Sequence, residues 1–212
     1  SVPYKGLTLL AGKTLMDDKK LCDAVLRHLG KESILATDDA SDILRSMEAG
    51  IPVDRSRIDD FIYPLKSAGL LVVAEGGLRR HLKEWLPDKK IVGLGEALLS
   101  IDSIRSSLCP EDLYVIECCG YHSDYARLVR FYDRVRTETG AQFNLDLQRV
   151  AVPTGSSSIQ ASKDLESAGC IEQVKWILHG RKVKRIIVES LADIEAFRRV
   201  TDIPMVHVAL LA

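Results

Sequence analysis

Three glutamates stand where side chains are best placed to do chemistry. Glu75, Glu117 and Glu189 each follow at least three consecutive apolar residues, so each is expected just beyond the end of a strand. Grouped carboxylates can bind a hard cation or act as general acid and base. Acidic residues are also favoured at the start of a helix, where they accept hydrogen bonds from backbone N–H groups. Both interpretations are open, and the sequence favours the second.

A second candidate site is the sequence Cys118-Cys119-Gly120-Tyr121-His122. Thiolate and imidazole are ligands of soft metals, so Cys118 and Cys119 are candidate metal ligands, with His122 beside them. A thiol near the start of the following helix could instead act as a nucleophile, with His122 as its base. Free cysteine also serves as a small buried apolar side chain. The sequence leaves these three interpretations open.

A third candidate is the turn around Gly155 and Ser156, in the sequence Val152-Pro153-Thr154-Gly155-Ser156-Ser157-Ser158. A turn rich in glycine and serine between a strand and a helix presents backbone N–H groups and hydroxyls, which suit a small anion. It lacks the spacing of a phosphate-binding P-loop. An ordinary helix cap explains the same residues and is favoured.

The elements that must position these residues follow from the pattern of apolar positions. Segments of strand length alternate with segments of helical period, which predicts parallel sheets covered by helices. The predicted strands are residues 7–11, 33–36, 70–74, 91–94, 113–117, 149–152, 186–188 and 206–209. The predicted helices are residues 17–29, 55–67, 78–85, 123–138, 158–178 and 191–199. The fold class is therefore α/β.

An internal repeat sets the domain organisation. The apolar run before Glu75 and the one before Glu189, 114 residues later, are each followed by an amphipathic stretch and a further apolar run. A period this long predicts a doubled small domain, not a solenoid. We expect two similar parallel-sheet βαβ repeats with helices on both faces, at residues 1–102 and 111–212, joined by a linker at 103–110.

The composition excludes several classes of protein. A net charge of −1 with mixed charges argues against binding to nucleic acid or to an acidic membrane surface. No apolar run reaches the roughly 20 residues that a membrane-spanning helix needs, so no direct membrane insertion is expected. Five irregularly spaced cysteines without a CxxC motif fit a reducing cytoplasm. A cytoplasmic protein is expected.

Several segments together suggest a family. Residues 122–136, which end in Tyr-Asp-Arg-Val-Arg, look like a His-bearing helix. Residues 149–155 look like the turn that carries a Cys-Cys-Gly motif, and residues 72–78 and 187–192 look like the strand-to-helix element of each half. In this arrangement the chain resembles the cysteine-rich (CCG) domain of heterodisulfide reductase and of the iron–sulfur subunits of glycolate and lactate oxidases.

The resemblance implies an iron–sulfur cluster, but most of the matching cysteines are replaced. Glu75 and Glu189 stand at cysteine positions of the two halves, Thr154 lies in the sequence that replaces Cys-Cys-Gly, and Tyr121 precedes the histidine in place of cysteine. A cluster usually needs four thiolates, so no cofactor is predicted.

The function implied by the resemblance is that of a cluster-less member of the family. Such a chain would be a subunit or domain of a redox or electron-transfer complex, with a protein partner. A thiol-dependent enzyme or redox protein using Cys118 or Cys119 with His122 is an alternative, and a small-anion binding module is another. Whether the chain is an enzyme stays open.

Overall fold

The computed structural model describes residues 3–156 and 168–211. The chain divides into two compact units, Ser1–Ala97 and Leu98–Ala212, called unit 1 and unit 2 below. Each unit contains a four-stranded sheet in which all strands are parallel, and helices connect the strands. The predicted α/β fold with two parallel-sheet repeats is confirmed.

Unit 1 begins with a strand and alternates strands with helices. Its elements are β1 Leu7–Leu10, α1 Gly12–Asp17, α2 Lys19–Leu29, β2 Ile34–Leu35, α3 Ser41–Glu48, α4 Arg55–Ile62, a 3₁₀ helix Pro64–Ser67, β3 Leu70–Val73, α5 Gly76–Trp85 and β4 Ile91–Gly93. Helix α6 (Leu94–Leu99) runs across the boundary between the units.

Unit 2 repeats the alternation. Its elements are α7 Asp102–Arg105, β5 Asp112–Val115, α8 Cys118–Ser123, α9 Tyr125–Thr139, β6 Gln142–Phe143, α10 Ala168–Leu178, β7 Arg185–Val188, α11 Leu191–Arg198, β8 Met205–His207 and a 3₁₀ helix Val208–Leu210. No helix in the described part of either unit has the length and apolar character needed to cross a membrane.

The two sheets have the same topology. The strand order is β2-β1-β3-β4 in unit 1 and β6-β5-β7-β8 in unit 2. The central strands are apolar along their length, and Leu9, Leu71 and Ile186 are fully buried. Nearly continuous apolar strands are expected where a parallel sheet is covered on both faces. The shared strand order supports the repeat that the sequence suggests.

The register of the sheets shifts the alignment of the two repeats by one residue. Ala74 matches Glu189, because the backbone N–H of each donates to the last carbonyl of the neighbouring central strand. Glu75 matches Ser190, because each is the N-cap residue of the next helix. The sequence pairing of Glu75 with Glu189 is therefore wrong by one position. Since successive residues of a strand point to opposite sides, the two glutamates are not equivalent.

One predicted strand, residues 149–152, is wrong. The edge strand of unit 2 is β6, which pairs with β5 directly after α9. Arg149 has a φ of 64°, in the left-handed region, and the Asp146 carboxylate accepts from the backbone N–H groups of Gln148 and Val150. The chain therefore turns where a strand was expected, and Ala151 makes a single antiparallel bridge.

The predicted helices are found with different ends. The predicted helix 17–29 covers the end of α1 and the whole of α2, which are separated at Asp18, whose carboxylate caps α2. The predicted helix 55–67 ends as a 3₁₀ helix from Pro64 onward. Helices α3, α6 and α7 are not predicted, and α8 overlaps the predicted helix 123–138 only at Ser123. Of the predicted helix 158–178, only Ala168–Leu178 is described as α10, and the rest lies outside the described residues.

The predicted linker 103–110 belongs to unit 2 in the structure. Helix α7 lies partly within it, and the side chain of Ile104 is fully buried. Arg105 Nε lies 3.0 Å from a carboxylate oxygen of Glu138 on α9. These contacts place the boundary between the units before this segment, at Ala97 and Leu98.

Candidate functional site at the strand ends of unit 2

Polar side chains stand at the carboxyl end of all four strands of unit 2. Glu117, Asn144 and Glu189 follow β5, β6 and β7, and His207 is the last residue of β8. Asn144, Glu189 and His207 are buried. Loops and helix N-termini meet at this end of a parallel sheet, which is where ligands bind in open α/β folds.

Glu189 accepts hydrogen bonds from three groups. Its Oε1 accepts from the hydroxyls of Tyr114, at 2.8 Å, and Tyr132, at 2.5 Å, and its Oε2 accepts from the backbone N–H of Glu117, at 2.7 Å. Burial raises the pKa of Glu189 to about 7, although the three donors favour the ionised form. One carboxylate thus joins β5, α9, the start of α8 and the end of β7.

Glu117 caps the helix that carries the two cysteines. Its Oε1 accepts from the N–H of Cys119 at 3.0 Å, and its Oε2 accepts from the N–H of Gly120 at 2.6 Å. Burial raises the pKa of Glu117 to about 8, with repulsion from Glu189 adding to the shift. The helix-start interpretation therefore describes Glu117, and its carboxyl also lies close enough to Glu189 to couple with it electrostatically.

Asp193 on α11 is a buried acid that the sequence analysis missed. The hydroxyls of Thr154 and Ser156 lie 2.5 and 2.8 Å from its Oδ1. Burial raises the pKa of Asp193, and the two hydroxyls oppose that shift. The sequence signal that could have identified it is its position among the apolar residues Leu191, Ala192 and Ile194 on a predicted helix, which indicates a buried acid.

The turn predicted to bind an anion is arranged around that aspartate. Gly155 has a φ of 84°, and a Cβ at this position would lie 2.3 Å from Cys170 Sγ, so only glycine fits. The Ser156 hydroxyl is directed at the Asp193 carboxyl. A carboxyl group thus occupies the place that an anion would take, which disfavours anion binding by the Ser156 hydroxyl.

Asn144 and His207 complete the network at the outer strands. Asn144 accepts from the Ile116 N–H at 2.8 Å and donates to the Val152 carbonyl at 3.0 Å. The Nδ1 atom of His207 accepts from the Ala209 N–H at 3.1 Å, so Nε2 carries the hydrogen that is donated to the Glu189 carbonyl at 3.0 Å. This bonding pattern requires a neutral imidazole.

The two cysteines predicted as metal ligands have different surroundings. Cys118 is buried, and its Sγ lies 3.7 Å from the Ile116 carbonyl, whereas Cys119 is exposed. Burial raises the pKa of the Cys118 thiol far above its ordinary value. His122 Nε2 lies 3.1 Å from the Ala151 carbonyl. Cys118 is thus unsuited to act as a thiolate.

The described residues do not fit the iron–sulfur cluster that the family resemblance implies. Within residues 3–156 and 168–211, no three His, Cys, Asp or Glu side chains are grouped so as to hold a metal ion. A cluster needs several thiolates that converge on one place. Of the two adjacent cysteines, one is buried and one is exposed, so they do not supply such a set.

Glu75 lies in unit 1, so it is described apart from the network of unit 2. Its side chain extends over Gly12, where an added Cβ would lie 2.2 Å from Glu75 Cγ. Within the described chain, no donor is bonded to the Glu75 carboxylate. Burial raises the pKa of Glu75, and Glu48 and Asp39 add to the shift.

Comparison with known proteins gives little further information. No family model matches the chain, and no curated protein matches it. Among solved structures, the aspartate racemase of Picrophilus torridus is similar, with a TM-score of 0.47 and 14% sequence identity over 98% of this chain and 89% of that one. A likeness this distant carries no argument about function.

Proposed function

We propose that this chain is a cluster-less relative of the cysteine-rich (CCG) domains and that it acts as a docking subunit or domain in a redox complex. The proposal rests on one observation. Three positions of unit 2 that the family resemblance assigns to cluster cysteines, Tyr121, Thr154 and Glu189, have oxygen-bearing side chains that are hydrogen-bonded within the unit.

Each of these side chains has a structural partner. The Tyr121 hydroxyl donates to the Arg149 carbonyl at 2.7 Å, Thr154 bonds to Asp193, and Glu189 accepts from three donors. Leaving a buried polar group without its partner costs about 1–3 kcal/mol. The network therefore ties together the segments that thiolates bound to one cluster would otherwise link.

The thiol-dependent alternative has weaker support. The Cys118 thiol is buried and its pKa is raised, so it is a poor nucleophile. Cys119 is exposed, but His122 Nε2 is engaged with a backbone carbonyl. Alkylation rates of Cys118→Ser and Cys119→Ser variants across pH would decide the point. Fast labelling at neutral pH, lost only in Cys119→Ser, would favour the thiol function.

The absence of a cluster is tested by reconstitution. The protein is incubated anaerobically with ferrous iron and sulfide and is then desalted, with a known ferredoxin treated in parallel as positive control. We expect no retained iron and no visible charge-transfer band. A stable band with stoichiometric iron would overturn the cluster-less assignment, and its loss in Cys118→Ser would identify a ligand.

The docking role is tested by gentle purification of the tagged chain from the cells that make it. We expect a flavin-containing or iron–sulfur protein to co-purify in a fixed ratio. The contact should persist in Cys119→Ser, because that thiol has no part in the proposed role. Recovery of the chain alone at low and at high salt would contradict the docking role.

A further inference from the structure

A groove of about 770 Å³ lies beside the edge strand β6 of unit 2. Arg136, Leu145, Arg149, Trp176 and Arg181 are among the residues that line it. Small-molecule sites in proteins are clefts of about 300–1,000 Å³ with apolar walls and a few polar groups. The groove has this size and this mixture of groups.

Arg181 supplies a positive charge that no carboxylate of the described chain balances. Its guanidinium donates to the Phe143 carbonyl at 2.6 Å and to the Leu145 carbonyl at 3.3 Å, and it forms no ion pair within residues 3–156 and 168–211. Burial lowers the pKa of Arg181, because desolvation disfavours the charged form of the guanidinium. A bound anion would provide the missing countercharge.

Two more arginines make the groove positive. Arg136 and Arg149 share a single carboxylate, Asp133, at 3.3 and 3.0 Å. Among the described residues that line the groove, Asp146 is the acid, and one of its carboxylate oxygens accepts two backbone N–H groups. In the described chain, three guanidinium groups of the groove are thus set against two carboxylates, of which Asp133 lies outside the lining.

Trp176 on α10 offers an aromatic surface in the same groove. Trp176 is 54% exposed, so much of its indole ring is open to a ligand in the groove. Indole rings favour stacked or edge contacts with other planar groups, worth about 0.5–1.5 kcal/mol beyond the buried area. A planar ring of a ligand could pack against it while the charged end of that ligand reaches the arginines.

We propose that this groove binds a small aromatic anion, with its ring against Trp176 and its phosphate or carboxylate at Arg181. The proposal is independent of the docking role, because Trp176 and Arg181, on which it depends, are not among the described residues that bond to Glu117, Glu189 or Asp193. The ring and the charge are both needed, since Trp176 and Arg181 supply different contacts.

Isothermal titration calorimetry tests the site with four probes. Adenosine monophosphate and 1-naphthoate combine a ring with an anion, whereas adenosine and inorganic phosphate each supply one half. We expect saturable binding of at least one combined probe and much weaker binding of its halves. Binding of the nucleotide alone would assign a phosphate ligand, and binding of naphthoate alone a carboxylate. No saturable heat from either combined probe overturns the proposal.

Two variants locate the site. Trp176→Ala and Arg181→Gln should each weaken binding at least about tenfold, which corresponds to about 1.4 kcal/mol. Arg134→Gln is the matched control, because Arg134 is an exposed arginine of α9 outside the groove, and it should bind as the parent does. Since Arg181 also supports β6, Trp176→Ala decides the outcome if Arg181→Gln melts early. Unchanged binding by Trp176→Ala would overturn the proposal.

Discussion

The two units share a sheet topology but differ in the residues that follow its strands. At the positions matched by register, unit 2 has the polar residues Glu117, Asn144, Glu189 and His207, and unit 1 has the small residues Gly12, Ala36, Ala74 and Gly93. The sheet therefore forms without polar side chains at this end. A polar network is therefore not a general requirement of this sheet topology.

The difference also changes how each unit depends on its carboxylates. In unit 2 the oxygens of Glu189 accept hydrogen bonds from the Tyr114 and Tyr132 hydroxyls and from the Glu117 N–H. Removing the carboxylate would leave these donors without their acceptor. In unit 1 the side chain of Glu75 only covers Gly12, and nothing in the described chain donates to it. Matching substitutions in the two units should therefore have unequal effects.

The largest effect is expected from Glu189→Ala. The substitution leaves two tyrosine hydroxyls and the Glu117 N–H without an acceptor, and unit 2 should lose about 3 kcal/mol of stability. Hydrogen exchange of peptides from β5 and β7 measures this, with β1 and β3 as the internal reference. Protection in β5 and β7 equal to that of the parent would show that the network is not needed for stability.

A pH dependence should come next in size. Glu189 and Glu117 have raised pKa values, about 7 and about 8, so the folded state binds protons more tightly than the unfolded state. The stability of unit 2 should therefore fall as pH rises from about 5 to about 8, by at least about 2 kcal/mol from Glu189 alone. Urea unfolding at several pH values, monitored by hydrogen exchange in β7, gives the dependence of this stability on pH. Glu189→Gln should flatten it, and a rise with pH would contradict the burial argument.

A smaller loss is expected in unit 1 from Gly12→Ala. The new Cβ would overlap Glu75 Cγ, and Gly12 has a φ of 69°, so we expect a loss of about 2 kcal/mol. Adding Glu75→Ala should recover the steric part only. Gly50→Ala is the matched control, because its φ is 68° and no atom lies within 4 Å of the added Cβ. Equal melting temperatures for the two glycine variants would refute the overlap.

The smallest effect is expected from Glu75→Gln. No hydrogen bond to the carboxylate is lost, and a partly desolvated charge is removed, so stability at neutral pH should stay within about 0.5 kcal/mol of the parent or rise slightly. Thermal melting at pH 5 and pH 8 measures it. A clear loss at both pH values would mean that unit 1 depends on this carboxylate as unit 2 depends on Glu189.

The fold could be predicted because it follows from a simple pattern. Apolar strands alternate with amphipathic helices, and both sheets form where that alternation is regular. β6 was missed because only two residues form it, whereas the apolar residues 150–152 looked more like a strand. The pairing of Glu75 with Glu189 was wrong by one residue because similar sequences do not fix which residues face each other across a sheet.

The candidate site could be predicted only in part. Glu117, Glu189 and Ser156 stand beside clear strand-end or turn signals. Asn144 follows a strand too short to recognise, and Tyr132 lies on a helix whose aromatic and basic residues resemble a solvated surface. The contact of Tyr132 with Glu189 depends on tertiary packing, which no local sequence pattern records.

Arg181 has a consequence for how unit 2 meets other chains. β6 is an outer strand, and an outer strand exposes backbone groups that a second polypeptide can pair with. The guanidinium already occupies the outward carbonyl of Phe143 and reaches that of Leu145. Pairing of a second polypeptide with β6 is thereby disfavoured, because two of the carbonyls that it would need already accept from Arg181.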